Sequence, residues 1–162
     1  MLFRSKGVDI IEIAMVTGDD LKVLSDKMVA MVEEHGMKFF LRDAANILQA
    51  ECVIIIGTRE QAQGLNCGHC GYPTCAGRPE GVPCAVNSVD VGIAIGSACA
   101  TAADLRVDTR VMFLLQMRYM KLQSCSIRIK ALTLYIVMKI SCQKMENIDI
   151  SRILNLTGHL IL

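Results

Sequence analysis

The chain has no tryptophan, only three prolines and few aromatic residues, which make up 4% of its 162 residues. Its core must therefore be built from isoleucine, valine, leucine, methionine and alanine, in keeping with a hydrophobic fraction of 52%. A chain of this length can form one globular domain, and this composition is too apolar for a disordered protein.

A strong net charge is also absent, since the formal charge at pH 7 is +1. This balance gives no general attraction to nucleic acid or to an anionic membrane surface. Residues 114–162 hold seven basic and two acidic residues, but the basic residues are scattered among aliphatic ones, without the clustering of a nucleic-acid site. We expect no nucleic-acid partner.

Long hydrophobic runs are missing as well. The longest apolar stretch without a charge, residues 91–103, has thirteen residues, whereas a membrane helix needs about 20. Asp9 and Glu12 interrupt the apolar N-terminal segment, so no export signal is visible. We expect a cytoplasmic protein without membrane insertion, in which thiols stay reduced.

The hydrophobic pattern predicts strands that alternate with helices. Asp19 and Asp20 are expected to supply a capping carboxylate for the first helix and Gly36 to end it. The pair Gly92 and Gly96 predicts close backbone packing of the last helix. The pattern indicates an α/β fold with a small, partly parallel sheet, flanking helices and a cysteine-rich metal-binding loop. The predicted elements are strand 8–17, helix 21–36, a short strand followed from about Arg42 by a short helix within 38–50, strand 52–58 and a buried helix in 85–105.

Four of the eight cysteines lie within residues 66–84, in the sequence NCGHCGYPTCAGRPEGVPC. Cys67, Cys70, Cys75 and Cys84 have the spacing C-x2-C-x4-C-x8-C, in a segment that holds all three prolines and few apolar side chains. Glycines and prolines permit and fix sharp turns around a compact centre. Four thiolates that converge need a cation to compensate their charge, so this pattern predicts a metal site.

Two metal centres fit these ligands. An iron–sulfur cluster takes cysteines from one wrapping loop with short, unequal gaps, whereas a zinc site generally uses two C-x2-C pairs, of which only one is present. We favour iron–sulfur over zinc, and both over unligated thiols. We expect His69 to face solvent or to lie beside the centre, rather than to be one of its ligands. The alternative function is a zinc-binding structural or interaction module without redox activity.

The stretches GLNCGHCGYPTCA and PCAVNSVDVGIAIGSACATAADLRVDTRVMF resemble an uncharacterised prokaryotic family of ferredoxin-domain-containing proteins. KGVDIIEIAMVTGDD and FFLRDAANI are similar to earlier blocks of that family, so the resemblance covers about residues 6–113. The CGxCG-x-P-x-C core is also similar to four-iron, four-sulfur modules of electron-transport complexes and corrinoid proteins, whose fourth cysteine lies further along the chain. The resemblance implies a [4Fe–4S] cluster on Cys67, Cys70, Cys75 and Cys84 and electron transfer with a redox partner protein. It implies no particular catalysed reaction or oligomeric state.

The chain departs from this family at both ends. Relatives carry a helical segment before the position of Lys6, and after RVMF they continue with a small-residue helix and a glycine-bearing strand. Here residues 1–113 contain eleven glycines and residues 114–162 contain one. We therefore predict an α/β ferredoxin-like domain in 1–113, with its cluster loop at 66–84, and an atypical tail in 114–162 that is frameshifted or misassembled.

The remaining candidate residues have simpler interpretations. We expect Cys52 and Cys99 to be buried core residues, with Cys99 as a substitute ligand if Cys84 is not one. A non-ligand Cys84 would leave an open iron site, as a small Lewis-acid enzyme needs. Gly57-Thr58 and Gly18 are expected at the carboxyl ends of strands but lack a nucleotide-binding fingerprint. Isolated cysteines also occur at Cys125 and Cys142, and cap or ion-pair roles are expected for Asp90, Asp104, Asp108 and Arg110.

Overall fold

A computed structural model describes residues 10–36, 38–114 and 132–141. These residues form a four-stranded sheet and three helices. In chain order the elements are β1 (Ile11–Thr17), α1 (Asp19–His35), α2 (Phe39–Ile47), β2 (Cys52–Arg59), α3 (Ala85–Asp104), β3 (Asp108–Leu114) and β4 (Leu132–Ser141).

The strands of the described sheet lie in the order β1-β2-β4-β3, and each of its three pairings is antiparallel. The mixed α/β class predicted from the sequence is therefore confirmed, but the prediction of a partly parallel sheet is wrong. The reason lies in the connection from β1 to β2, which contains two helices. A single helix would return the chain to the end of the sheet where β1 begins. With two helices, α1 and α2, the chain reverses twice, so β2 starts near the end of β1 and runs in the opposite direction.

The connection from β2 to β3 contains one helix, α3. Because β4 is antiparallel to both β2 and β3, these two strands point in the same direction and α3 joins them. A parallel pair would result if β2 and β3 were neighbours, but β4 lies between them. The centre of the sheet is thus occupied by ten residues from the segment 114–162.

The start of α2 also differs from the sequence prediction. The short strand expected after residue 38 does not exist, because the helix begins at Phe39. The buried residues of α2 recur at helical spacing, at Phe40, Asp43, Ala44 and Ile47. Phe40 is fully buried against α1 and the sheet, and this packing requires a helix because its partners lie three, four and seven residues further on.

The two ends of α1 agree only in part with expectation. Gly36 ends the helix as predicted, with φ of 69° and its N–H donating to the Val32 carbonyl at 2.8 Å. No carboxylate caps the other end, where Gly18 is the capping residue and no side-chain hydrogen bond forms. Asp19 and Asp20 instead lie in the first turn, where their charges favour the helix dipole.

Both faces of the sheet are covered. Residues of α1 and α2 pack on one face, together with Ala14, Val16, Val53 and Ile55. Residues of α3 pack on the other face, against the alternate strand positions. The described chain therefore has three layers, and the connection from β2 to α3 leaves the sheet at one end.

α3 has a second, exposed face. Gly92 and Gly96 lie there, and a Cβ atom built on either one meets no described atom within 4 Å. The close backbone packing expected at these glycines is thus not formed within the described residues. α3 is long and apolar enough to cross a membrane, but core helices pass the same test and its other face packs on the sheet.

Candidate metal centre

The four cysteines of the predicted site lie in one connection, which leaves β2 after Arg59 and ends at Cys84, the residue before α3. Residues 60–84 contain no helix or strand. Gly68 and Gly71 have φ of 72° and 87°, and the Gly71 N–H donates to the Gly68 carbonyl at 2.9 Å. A side chain at these positions would strain the backbone, so the glycines permit the tight turn that carries Cys70.

Asn66 fixes Cys75 within this loop. The Cys75 N–H donates to the Asn66 Oδ1 at 2.8 Å, and the Asn66 N–H donates to the Cys75 Sγ at 3.4 Å. This reciprocal pair closes the segment that contains Cys67 and Cys70. Asn66 itself has φ of 49°, a conformation that asparagine tolerates better than most residues. Sequence reasoning missed Asn66, although an asparagine directly before the first cysteine was a usable signal.

Cys84 is buried and occupies the capping position of α3. Burial acts to raise the pKa of its thiol, but the backbone N–H groups of Gln63, Asn87 and Val86 and the charge of Arg78 oppose this effect, and the net result is a lowered pKa. Val86 and Asn87 lie in the first turn of α3, so the start of this helix is directed at the sulfur. Helix N-termini and nearby cations favour the thiolate, which is the form that binds metal.

The other three cysteines are more accessible. Cys67 is exposed, Cys70 and Cys75 are half-buried, and all four loop thiols are free. His69 is exposed. Within the described ranges, no group of three His, Cys, Asp or Glu side chains lies close enough to hold a metal ion. The structure therefore places the four thiols on one loop without bringing three of them together.

The donor set nevertheless fits a thiolate-bound centre. Four reduced cysteines share a loop outside regular secondary structure, and Cys84 has a lowered pKa. The Cys75 sulfur already accepts a backbone N–H, as cluster-bound cysteine sulfurs do. Ligation by all four thiols would require the loop to close around the centre.

Cys52 and Cys99 belong to the core and not to the loop. Cys52 is fully buried in β2, where burial raises its pKa to about 12, as expected for a thiol that packs as an apolar residue. Cys99 is half-buried on α3, and burial raises its pKa too. It lies fifteen residues beyond Cys84 on the same helix path, or about 22 Å at 1.5 Å per residue, so it cannot take the place of Cys84. Cys125 and Cys142 lie outside the described residues.

Two polar contacts hold the base of the loop. Arg59 donates its Nε–H to Glu12 Oε1 at 2.7 Å, which ties the end of β2 to the start of β1. Asn87 on α3 donates its Nδ2 hydrogen to the Gln61 carbonyl at 2.6 Å. Strand β2, strand β1 and helix α3 thus fix both stems of the loop, while its middle makes mainly local contacts.

Among the residues that the structure describes, the remaining candidates do not form a second site. Asp90 is fully buried in α3, whereas Asp104, Asp108 and Arg110 are exposed at the far end of that helix and on β3. Gly57-Thr58, expected at the carboxyl end of a strand, lies inside β2 and is buried.

The comparisons with known proteins agree with the resemblance seen in the sequence. Residues 80–150 match the sequence model of a family described as uncharacterised proteins containing a ferredoxin domain. An uncharacterised protein of Archaeoglobus fulgidus is 36% identical over 120 residues, which cover 68% of this chain and 65% of that relative. The chain thus spans somewhat less than two thirds of the relative's length. No solved structure matches significantly.

The resemblance to the ferredoxin-domain family is confirmed. The matched segment includes Cys84, α3, β3 and β4, and it begins after Cys75. It also continues beyond residue 113, the expected limit of the resemblance.

Proposed function

Because part of this chain matches the uncharacterised ferredoxin-domain proteins, we propose that it is an iron–sulfur protein whose [4Fe–4S] cluster is held by Cys67, Cys70, Cys75 and Cys84. Its function is electron transfer, either alone or as the redox module of a larger system. The observation that carries this proposal is the placement of four free thiols on one loop whose stems are fixed to β1, β2 and α3. Iron–sulfur clusters are held by four cysteine thiolates in loops of this kind.

The accessibility of the thiols supports a redox function. Cys67 is exposed, while Cys84 is buried where the loop joins the helix. A centre held between them would have one side toward solvent and one toward the protein. The exposed side would allow a partner protein to approach within electron-transfer distance, and the buried side would limit access of water. Such a protein fits a reducing cytoplasmic setting, where thiols persist.

Metal and sulfide analysis tests this proposal. Protein purified without oxygen is expected to contain about four iron atoms and four acid-labile sulfides per chain, with a brown colour that bleaches on reduction. The double variant Cys67→Ala/Cys70→Ala should lose both iron and sulfide. Cys99→Ala is the matched control, because it removes a thiol that lies on α3 away from the loop, and it should retain both.

Other results would contradict the proposal. One zinc ion per chain without sulfide would identify the zinc-binding structural module instead, since zinc binds cysteine sites without redox activity. Loss of iron in the Cys99→Ala protein, with retention in the double variant, would show that the loop is not the site.

A further inference from the structure

We propose that residues 142–162 lie along the outer face of α3 and cover its exposed apolar side chains. The outer face is the side of the helix opposite its buried residues, and it consists of Val89, Ile93, Gly96, Ala100 and Ala103. This inference goes beyond the proposed function, because it assigns a docking surface away from the cysteine loop and names the segment of the chain that occupies it.

The outer face of α3 differs in character from the exposed side of α1. Its five residues recur at steps of four and three, which places them on one side of a helix. None of them is polar, and Val89 and Ile93 are large hydrophobic residues exposed at 58% and 44%. A continuous apolar strip without a charge is typical of a contact surface. The exposed residues at the same spacing on α1 are Lys22, Asp26, Val29 and Glu33.

The end of β4 brings the chain to this surface. β4 ends at Ser141, which pairs with Asp108, the first residue of β3. Asp108 lies only four positions after Asp104, the last residue of α3. Residue 142 therefore follows a strand end that lies beside the C-terminal end of α3, and a path back along this helix leads over its outer face.

The segment 142–162 is long enough for this path. From Asp104 to Val89 the helix rises by about 22 Å, at 1.5 Å per residue. The segment has 21 residues, which span about 31 Å even at the short rise of a helix and more in any extended form. Residues 115–131 are less suited, because they join Leu114 to Leu132 at the opposite end of the sheet.

The composition of the segment fits an uncharged apolar surface. Residues 153–162 contain six isoleucine or leucine residues and no charged residue. The proposed path brings this part toward Val89 and Ile93, while the charged part passes the end of α3 that carries Asp104. The family match continues to residue 150 and so includes the first nine residues of the segment. Its charged residues are Lys144, Glu146, Asp149 and Arg152.

A second copy of the chain fits this face less well. α3 is about 30 Å long and a helix is about 10 Å wide, so the outer face presents roughly 300 Å², whereas a stable interface buries about 800 Å² on each partner. A segment of the same chain needs no such area, because its effective concentration at the surface is high. Val89 and Ile93 project further from the helix axis than a methyl group at Gly96 would, so a segment resting on them leaves room for an alanine there.

Urea denaturation of the whole chain tests this inference with two matched valines. Val89→Asn alters the outer face of α3, and Val29→Asn alters a valine that is 38% exposed on α1. The described contacts alone would make Val29→Asn the more harmful change, because Val89 is the more exposed. We expect the reverse. Val89→Asn should raise the equilibrium constant for unfolding at least about tenfold more than Val29→Asn, since it places an amide in an apolar contact.

A second set of substitutions identifies the occupant. The triple variant Ile153→Asn/Leu154→Asn/Leu156→Asn replaces apolar side chains of the segment with polar ones. In this background Val89→Asn should raise the unfolding constant no more than Val29→Asn does, because the two sites are coupled only through their contact. All variants are compared at equal metal content, and sedimentation equilibrium is expected to show that the wild-type chain is a monomer.

Three results would overturn the inference. An effect of Val89→Asn equal to or below that of Val29→Asn would show that the outer face is open to solvent. An unchanged effect of Val89→Asn in the triple variant would assign the cover to another part of the chain. Dissociation of a wild-type dimer by Val89→Asn would assign it to a second copy. If Val89→Asn unfolds without urea, Val89→Thr and Val29→Thr provide the same comparison with a smaller change.

Discussion

At the scale of single residues, two buried cysteines differ in the pKa of their thiols. Cys52 lies in β2 with no exposed surface, and burial raises its pKa to about 12. Cys84, also buried, has a lowered pKa because backbone N–H groups and Arg78 face its sulfur. Burial alone therefore does not determine thiol chemistry, and the polar groups around the sulfur decide which cysteine is a ligand candidate.

Alkylation of the metal-free, reduced protein should distinguish buried from exposed cysteines by their rates of modification. A thiol with a pKa of about 12 is ionised to only about one part in ten thousand at pH 8, and the thiolate is the reactive form. We expect iodoacetamide at pH 8 to modify Cys67, which is exposed, and to leave Cys52 unmodified until denaturant unfolds the protein. Peptide mass spectrometry gives the extent at each site; equal rates for Cys52 and Cys67 under native conditions would contradict the prediction.

Asn66 offers a second test at this scale, because two substitutions distinguish the effect of its backbone conformation from that of its side-chain hydrogen bond. Asn66→Gly preserves the positive φ but removes the Oδ1 that accepts the Cys75 N–H. Asn66→Ala removes the acceptor and also strains the backbone, by about 1 kcal/mol. Both variants should increase the hydrogen-exchange rate of the Cys75 amide, measured by NMR, and the metal-free alanine variant should show the larger increase.

If instead Asn66→Gly exchanges at the wild-type rate, the side-chain contact does not order the loop. A wild-type rate in Asn66→Ala as well would show that neither feature of Asn66 fixes Cys75.

At the scale of elements, α3 performs two tasks. Its first residues approach the Cys84 sulfur and hold the loop through Asn87, and one face of its length packs on the sheet. Its opposite face remains exposed, with Val89 at 58% and Ile93 at 44%. The glycines on that face weaken the helix and gain no packing from the described residues.

Replacement of Gly96 tests whether this face is open. Since a Cβ atom there meets no described atom within 4 Å, Gly96→Ala should raise the free energy of unfolding by about 0.5–1 kcal/mol, through improved helix propensity. Ala100→Gly, at another exposed position of α3, is the matched reverse change and should lower it by a similar amount. Urea denaturation measures both; a destabilised Gly96→Ala would indicate a close neighbour at this glycine.

At the scale of the whole molecule, the sheet joins strands from residues 1–113 with a strand from residues 114–162, the two parts of the chain that differ in composition. β4 forms the partner of both β2 and β3, in continuous register from Cys52↔Ile140 to Thr58↔Leu134 on one side and from Asp108↔Ser141 to Leu114↔Tyr135 on the other. Within the described sheet, β3 has no other neighbour. The cysteine loop depends on this arrangement indirectly, because one of its stems is the end of β2.

Removal of residues 115–162 distinguishes two views of the C-terminal segment. If β4 is an integral strand, the shortened protein loses the hydrogen-bond partners of β2 and β3, and the exposed edge of a buried strand favours aggregation. We expect loss of cooperative urea unfolding, monitored by circular dichroism, and loss of amide protection at Ile54 and Ile56. A shortened protein that unfolds cooperatively with wild-type stability would instead support the prediction of a foreign tail after residue 113.

The sequence itself determined the local features of this protein. Hydrophobic periodicity placed β1, α1, β2 and α3, since side-chain spacing decides whether a short segment buries one face as a strand or as a helix. Spacing also identified the cysteine loop and indicated the burial of Cys52. Only the tertiary structure decided the strand directions, the position of β4 and the groups around each sulfur. These depend on how many helices reverse the chain between strands and on contacts such as Asn66–Cys75 and Arg59–Glu12, which join residues that no local pattern relates.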